Sequence, residues 1–458
     1  DLYFNGVALS GDPGPLFYPV TYLWQTTPVT LAGLALAGLV GVQAALALPH
    51  FPYYFTYFNP LMGGSARAPE VMMIGLGEGL DEAARYLNAK PNAAELAVAS
   101  WYRGGSFNYL FAGQDLDIEE FYRADYAVLY AHQWQRRVPN DRLLDYFRGL
   151  TPEHIVTLHG IDYAWVYNLA EAPPPDYFTD WAGAIRLVEV ERPAAAVAPG
   201  ETAVVRLRLY VLDHIDRNLS VVVRLVDSAG REIARSEGWP FGSATSTWQA
   251  GEVYVDGHEL TLPPGTPPGY LRVEAGFHDA ESTLMLTPTT AGTQAPLPEF
   301  VTVDYVAVGP LPDGPVAPLE ETVRLGDFQL LGAELAGSPL PTGSAALTVA
   351  PGASLPLTLF WQLARPVKTD YTVLVHWIGP DGQLVGQGDH PPAIPTTLWH
   401  PDTTFVDAHP LTVPPDLAPG DYQLMAGLYE LATLQRLPVV IDGNPAGDTL
   451  SLGVLTVR

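Results

Sequence analysis

Few stretches of this sequence gather side chains that could do chemistry. Asp115-Leu116-Asp117-Ile118-Glu119 sets three carboxylates two residues apart, the oxygen donors that calcium takes. It lacks the glycine turn and the closing glutamate of an EF-hand loop, so a solvated helix start is the preferred reading. Gly75-Leu76-Gly77-Glu78-Gly79 precedes a helix as phosphate-cradling loops do, but it lacks dinucleotide spacing and no clear strand leads into it. His258 and His409 each follow an aspartate by two residues, Asp256 and Asp407. A metal would need further ligands that the pattern does not supply, and a turn in which the aspartate accepts backbone hydrogen bonds is the expected account. Asn218-Leu219-Ser220 is a glycosylation sequon set inside a β-rich run. No Ser/His/Asp arrangement stands out, and the acids are too scattered to nominate the two carboxylates of a glycoside hydrolase. No catalytic, cofactor-binding or metal-ligating residue is nominated, and no cofactor is identified.

Two tryptophans remain as candidate glycan contacts, Trp248 and Trp399. They occupy matching places in an internal repeat. A ring repeated in both copies is explained by shared packing as well as by a shared ligand, and packing is preferred over sugar stacking.

The elements that must position these residues follow from composition and pattern. A chain of 458 residues has room for several cores. Its 50 acidic residues against 23 basic ones give a net charge of −27, which argues against nucleic acid as a partner. Cysteine is absent, so disulfides and thiolate metal sites are excluded. The 44 prolines and 43 glycines, with 23 tyrosines and 10 tryptophans, describe turn-rich β structure with aromatic cores.

Near the front, residues 29–48 read VTLAGLALAGLVGVQAALAL, 20 residues without a charge, which is the length of one bilayer crossing. Gly33, Ala37, Gly41 and Ala45 line one ridge of this run and would let another helix approach closely. Aromatic residues crowd both flanks, as they do at membrane interfaces. From about 71 to 170, helix signals in GLDEAARYLNAKP, stopped by Pro91, and in DRLLDYFRGL, closing at Gly149, alternate with the short strands ELAVASW and YAVLY and a final hairpin of HIVTLHG and YAWVYNL. After the proline linker EAPPPDY, helix signals nearly vanish and the chain repeats itself. VAPGE at Val197 recurs as VAPGA at Val349, and VDGHELTLP at Val255 recurs as VDAHPLTVP at Val406. The offset stays at 151 to 152, which predicts two copies of one β-sandwich in tandem.

Three stretches carry a resemblance to a known family. GPLFYPVTYLWQTTPVTLAGL at 14–34, PYYFTYFNPLMGG at 52–64 and GLGEGLDEAARYLN at 75–88 look like the C-terminal half of bacterial polyprenyl-phosphate-sugar-dependent glycosyltransferases of family 39. That group is similar to protein O-mannosyltransferases and aminoarabinose transferases. The resemblance implies an integral membrane fold that moves a sugar from a lipid carrier to an envelope acceptor, a glycan or a protein. The family's aspartate in its first outward loop is not matched by Asp1 or Asp12, so no catalytic residue carries over.

The expected architecture is multidomain: a transmembrane helix, a small α/β domain, then two tandem all-β immunoglobulin-like sandwiches. The expected boundaries are an approach loop at 1–28, the transmembrane helix at 29–48, an interfacial connector at 49–70, the α/β domain at 71–170 and sandwiches at 178–309 and 321–458. The expected function is that of the extracytoplasmic C-terminal part of a membrane glycosyltransferase, inactive without its N-terminal region. Its partners would be the membrane lipid bilayer, a lipid-linked sugar and an envelope acceptor. The alternative is a non-enzymatic, membrane-anchored surface protein whose sandwiches bind carbohydrate or protein.

Overall fold

A computed structural model describes residues 2–4, 6–9, 11–25, 46–102, 105–340, 346–401 and 403–458. The chain divides into two compact units, 1–175 and 176–458.

The first unit opens with a hairpin, β1 (Leu2–Phe4) and β2 (Val7–Leu9), followed by α1 (Phe17–Gln25) and α2 (Gly64–Val71). In α3 (Leu80–Asn88) the apolar residues Leu80, Ala83, Ala84 and Leu87 recur at helical spacing and make one stripe, all of it buried. Asp81 and Glu82 in its first turn suit the positive end of the helix dipole. Then come β3 (Ala97–Ser100), α4 (Ser106–Leu110), β4 (Gln114–Asp117), β5 (Tyr126–Tyr130), α5 (Ala131–Arg136) and α6 (Asp141–Arg148). Asn140 caps α6 by accepting a bond from the Leu143 amide at 2.9 Å. The hairpin β6 (His154–Leu158) and β7 (Ile161–Asn168) completes a five-stranded sheet ordered β4-β3-β5-β7-β6. Strands β4, β3 and β5 run parallel, and β7 and β6 are antiparallel.

The second unit holds two sandwiches of matching topology. In the first, β13 (Val253–Thr261), β10 (Thr202–Val211), β9 (Ile185–Glu191), β8 (Thr179–Trp181) and β15 (Thr289–Thr290) form one sheet in that order. The other sheet is β12 (Glu232–Gly238), β11 (Leu219–Val226), β14 (Gly269–Asp279) and β16 (Val301–Val308). Alternation decides which side chains fill the space between them: Val205, Leu207, Leu209 and Val211 of β10 all point inward and are buried.

In the second sandwich, β24 (Thr404–Thr412), β21 (Ser354–Leu363), β18 (Phe328–Leu335), β17 (Val323–Leu325), β26 (Val439–Ile441) and β27 (Asn444–Pro445) follow one another, with β19 (Ser338–Pro339) beside β18. They face β20 (Ala346–Val349), β28 (Leu450–Val457), β25 (Gly420–Glu430), β22 (Tyr371–Ile378) and β23 (Leu384–Gln387). Each strand of the first copy thus has a counterpart in the second, which adds β19, β20 and β27; β10 and β21 have 10 residues each, and β14 and β25 have 11.

One part of the expected architecture is corrected. Among the described residues no helix is long and apolar enough to cross a membrane. The longest, α1 and α3, have nine residues, roughly 14 Å at 1.5 Å per residue, against about 30 Å of bilayer hydrocarbon. Of the expected span, residues 29–45 lie outside the described residues. Its end enters a 3₁₀ turn at Leu48–His50, which Pro49 occupies. No transmembrane helix is therefore part of the described fold, which is mostly β sheet.

Candidate functional site

The carboxyl ends of β3 and β5 make the switch point of the first unit, because the chain leaves β3 toward β4 on one side and reaches β5 on the other. That crevice is filled by the protein's own rings. Tyr102 lies 5.4 Å from Tyr130 and 5.2 Å from His132, centroid to centroid. Tyr130 donates to the Glu78 carbonyl at 2.9 Å and accepts from the Gly77 amide at 3.0 Å. A Cβ on Gly75 would sit 2.6 Å from the Tyr130 ring, so the glycine-rich stretch serves close packing.

Burial lowers the pKa of His132 to about 4, with the Arg136 charge acting in the same direction. The folded state therefore stays neutral at this ring while the unfolded chain takes up a proton. Stability is complete above the ordinary value near 6.5 and falls as pH drops toward 4, by about 3 kcal/mol in all. His132→Gln should remove that component from the pH dependence of urea unfolding. An unchanged slope between pH 6.5 and pH 4 would contradict it.

The other nominated residues fall into structural roles. Asp115 accepts from the Ser100 hydroxyl at 2.7 Å, and Asp117 caps a 3₁₀ turn by accepting from the Glu119 amide at 3.1 Å. Among the described residues no three His, Asp or Glu side chains are grouped so as to hold a metal. Asn218 accepts from the Ser246 hydroxyl at 2.8 Å, which ties down the side chain of the sequon.

Trp248 and Trp399 are both buried. Trp248 lies flat against Tyr254, with ring centroids 4.0 Å apart and planes 8° from parallel, and its Nε1 donates to Ser243. Trp399 lies flat against Phe405 at 4.5 Å and 9°, and its Nε1 donates to the Ile394 carbonyl.

The expected turn at Asp256 and His258 is a strand, and this reading is corrected. Both side chains project from β13 into the interior, in line with Leu260. Period-two alternation places them on one face, where His258 Nε2 meets Asp256 Oδ2 at 2.9 Å. Asp407 and His409 repeat this on β24 at 2.6 Å.

In the first sandwich the buried carboxylate reaches further. Asp256 Oδ1 accepts the amide of Phe241 at 2.8 Å, in the loop that follows β12. Phe241 is held in the left-handed region, φ 55° and ψ 16°, which a bulky residue adopts only under constraint. Its ring is thereby turned outward, 58% exposed, with Trp239 beside it in sequence at 49%. Phe241 packs edge-on to Tyr254 at 5.4 Å, and Tyr254 is backed in turn by Trp248. Burial and the bonded Glu252 carboxylate push the Tyr254 hydroxyl up to about 12, so it is a neutral donor. Two exposed rings of one loop, Trp239 and Phe241, together with Tyr254, on which Phe241 packs edge-on, are the ring platform.

The second copy has no such platform. Its connection His390-Pro391-Pro392-Ala393-Ile394-Pro395 contains no phenyl or indole ring. The place of Tyr254 is taken by Phe405, which is covered by the first sandwich: Tyr270 and Tyr305 approach it at 6.0 and 5.8 Å. Tyr270 also accepts from the Val406 amide at 3.2 Å. Arg192 braces this seam, its guanidinium 4.0 Å over the Tyr305 ring and bonded to Asp304 at 3.0 Å.

No protein-family model matches the sequence, and no curated protein matches it. Without a family match and without a described helix able to cross a membrane, the glycosyltransferase and polyprenyl-phosphate assignments lose their support. Among solved structures, a calcium-binding mutant of Bacteroides uniformis beta-glucuronidase 2 is similar over 42% of this chain and 19% of that one, at 12% identity and a TM-score of 0.19. This chain thus spans about a fifth of that protein's length, and a likeness of that degree carries no argument about function.

Proposed function

We propose that this protein is a non-catalytic binding protein and that its first β-sandwich engages neutral carbohydrate on the ring platform of Trp239, Phe241 and Tyr254. The observation that supports this reading is the outward display of two large rings on a loop whose backbone the interior holds in a strained conformation. Exposed aromatic faces match the apolar face of a pyranose. They cost little side-chain entropy on binding, having two rotatable bonds each. The Tyr254 hydroxyl donates to Glu252, which leaves the other lone pairs of that carboxylate and those of the Tyr254 oxygen as acceptors for sugar hydroxyls. The net charge of −27 disfavours anionic ligands, which leaves uncharged glycans as the class of choice.

A glycan array with the full chain, followed by calorimetry on the best binder, tests this. Trp239→Ala and Phe241→Ala should each weaken binding by about 30-fold, the loss typical of an aromatic anchor, while leaving urea stability nearly unchanged. Array signals that both variants retain, or a platform that binds only protein, would refute the proposal.

A further inference from the structure

We infer that Asp256, His258 and Ser236 are the positioning residues of the ring platform, an inference that rests on reading the platform as a binding site. A buried carboxylate must be bonded, and among the described residues Asp256 has two donors: the imidazole of His258 and the amide of Phe241. A carboxylate only accepts, so His258 donates to it from Nε2, while its Nδ1 shares a hydrogen bond with Ser236 Oγ at 3.0 Å on β12. The relay therefore runs from one sheet, through two buried side chains of the other, to the one amide whose orientation turns the Phe241 ring outward. Left-handed backbone at a phenylalanine persists only where surroundings enforce it, and this amide bond is the contact that enforces it.

The second sandwich supplies the control within the same chain. It retains Asp407 and His409 on the same inward face but has lost both ends of the relay. The residue that bonds across to Val375, where Ser236 pairs with Val223, is Gly388, which has no hydroxyl. Three of the residues 390–395 are proline and offer no amide hydrogen. His409 Nδ1 is accordingly buried without a hydrogen-bond partner among the described residues. The aspartate–histidine pair thus has a fold role common to both copies and a positioning role confined to the copy that displays rings.

Amide hydrogen exchange on the full chain, read at Phe241, tests this directly, with calorimetry against the best array glycan in parallel. Asp256→Ala should speed exchange at Phe241 by about tenfold or more and weaken glycan binding by a similar factor. Asp256→Asn keeps an acceptor oxygen and should restore most of both. Asp407→Ala should lower stability while leaving Phe241 exchange and glycan affinity as they were. Should Asp256→Ala prove unfolded, Ser236→Ala serves instead, with an expected twofold to fivefold loss of protection, roughly, from the loosened imidazole. Unchanged exchange at Phe241 in the folded Asp256 or Ser236 variant, or equal loosening by Asp407→Ala, would overturn the inference. If no glycan binds the unaltered protein yet Asp256→Ala still frees the Phe241 amide, the binding reading fails and the positioning role stands.

Discussion

Truncating Trp248 or Trp399 to alanine is expected to cost its sandwich about 3–5 kcal/mol, measured as the shift in urea unfolding of the full chain. Each indole is enclosed, 2% and 3% exposed, and each lies flat on the aromatic residue that leads into or along the edge strand of its sheet. Removing one leaves a cavity that its neighbours cannot collapse into, because the connecting turn is pinned by Thr245 in one copy and Thr396 in the other. Both are fully buried and bonded to the amide of the facing strand, Leu219 and Tyr371. The contrast with Trp239 is the sharper test, since that indole is half exposed and its loss should leave stability within about 0.5 kcal/mol. A cost below 1 kcal/mol at Trp248, or a large one at Trp239, would reverse the roles assigned to them.

Tyr305→Ala should uncouple the two sandwiches. Tyr305 belongs to β16 of the first sandwich but is packed within the core of the second, 2% exposed, with Phe405 and Tyr270 against it. Loss of that ring removes about 3 kcal/mol of buried aromatic contact. It also takes away the face on which Arg192 rests, leaving the Arg192–Asp304 pair in a widened gap. The unaltered second unit is expected to unfold in one cooperative transition, and the variant in two, because only the shared seam couples cores that are otherwise separate. Calorimetry of the full chain reads this as one peak against two for residues 176–458. A single unchanged transition in the variant would show that the linker at 309–320, and not the seam, couples them.

Much of the second unit was legible from pattern. Period-two alternation in AVVRLRLYVL assigns Val205, Leu207, Leu209 and Val211 to one face because successive strand side chains point oppositely, and that face is the core. The recurrence of whole phrases at an offset of 151 to 152 leads to matching strand order because like strands and like turns build like sheets. In the first unit the stripe Leu80, Ala83, Ala84 and Leu87 marks its own helix and its own buried side.

The failures have physical causes. Hydropathy in a window of 20 residues measures transfer to lipid and not whether a spanning helix forms, and none of the described helices is that long. The spacing of Asp256 and His258, like that of Asp407 and His409, suggests a turn because an aspartate so often accepts local backbone amides. The inward alternation Asp256, His258, Leu260 and Leu262 was the signal that could have shown a strand with its polar pair inside. The ring platform was missed altogether, since Trp239-Pro240-Phe241-Gly242 looks like any aromatic turn.

By itself, then, the sequence determined which residues repeat, which alternate and which elements form, because those depend on neighbours within a few positions and on backbone periodicity. Tertiary structure alone decided that Trp248 and Trp399 are covered while Trp239 and Phe241 are displayed, and that Tyr305 plugs the next sandwich. Exposure depends on what arrives from distant parts of the chain: Asp256 is 15 residues from the amide it holds, and Tyr305 lies 100 positions before the phenylalanine it covers. Contacts at those separations are set by how sheets stack and meet, and no local spacing encodes them.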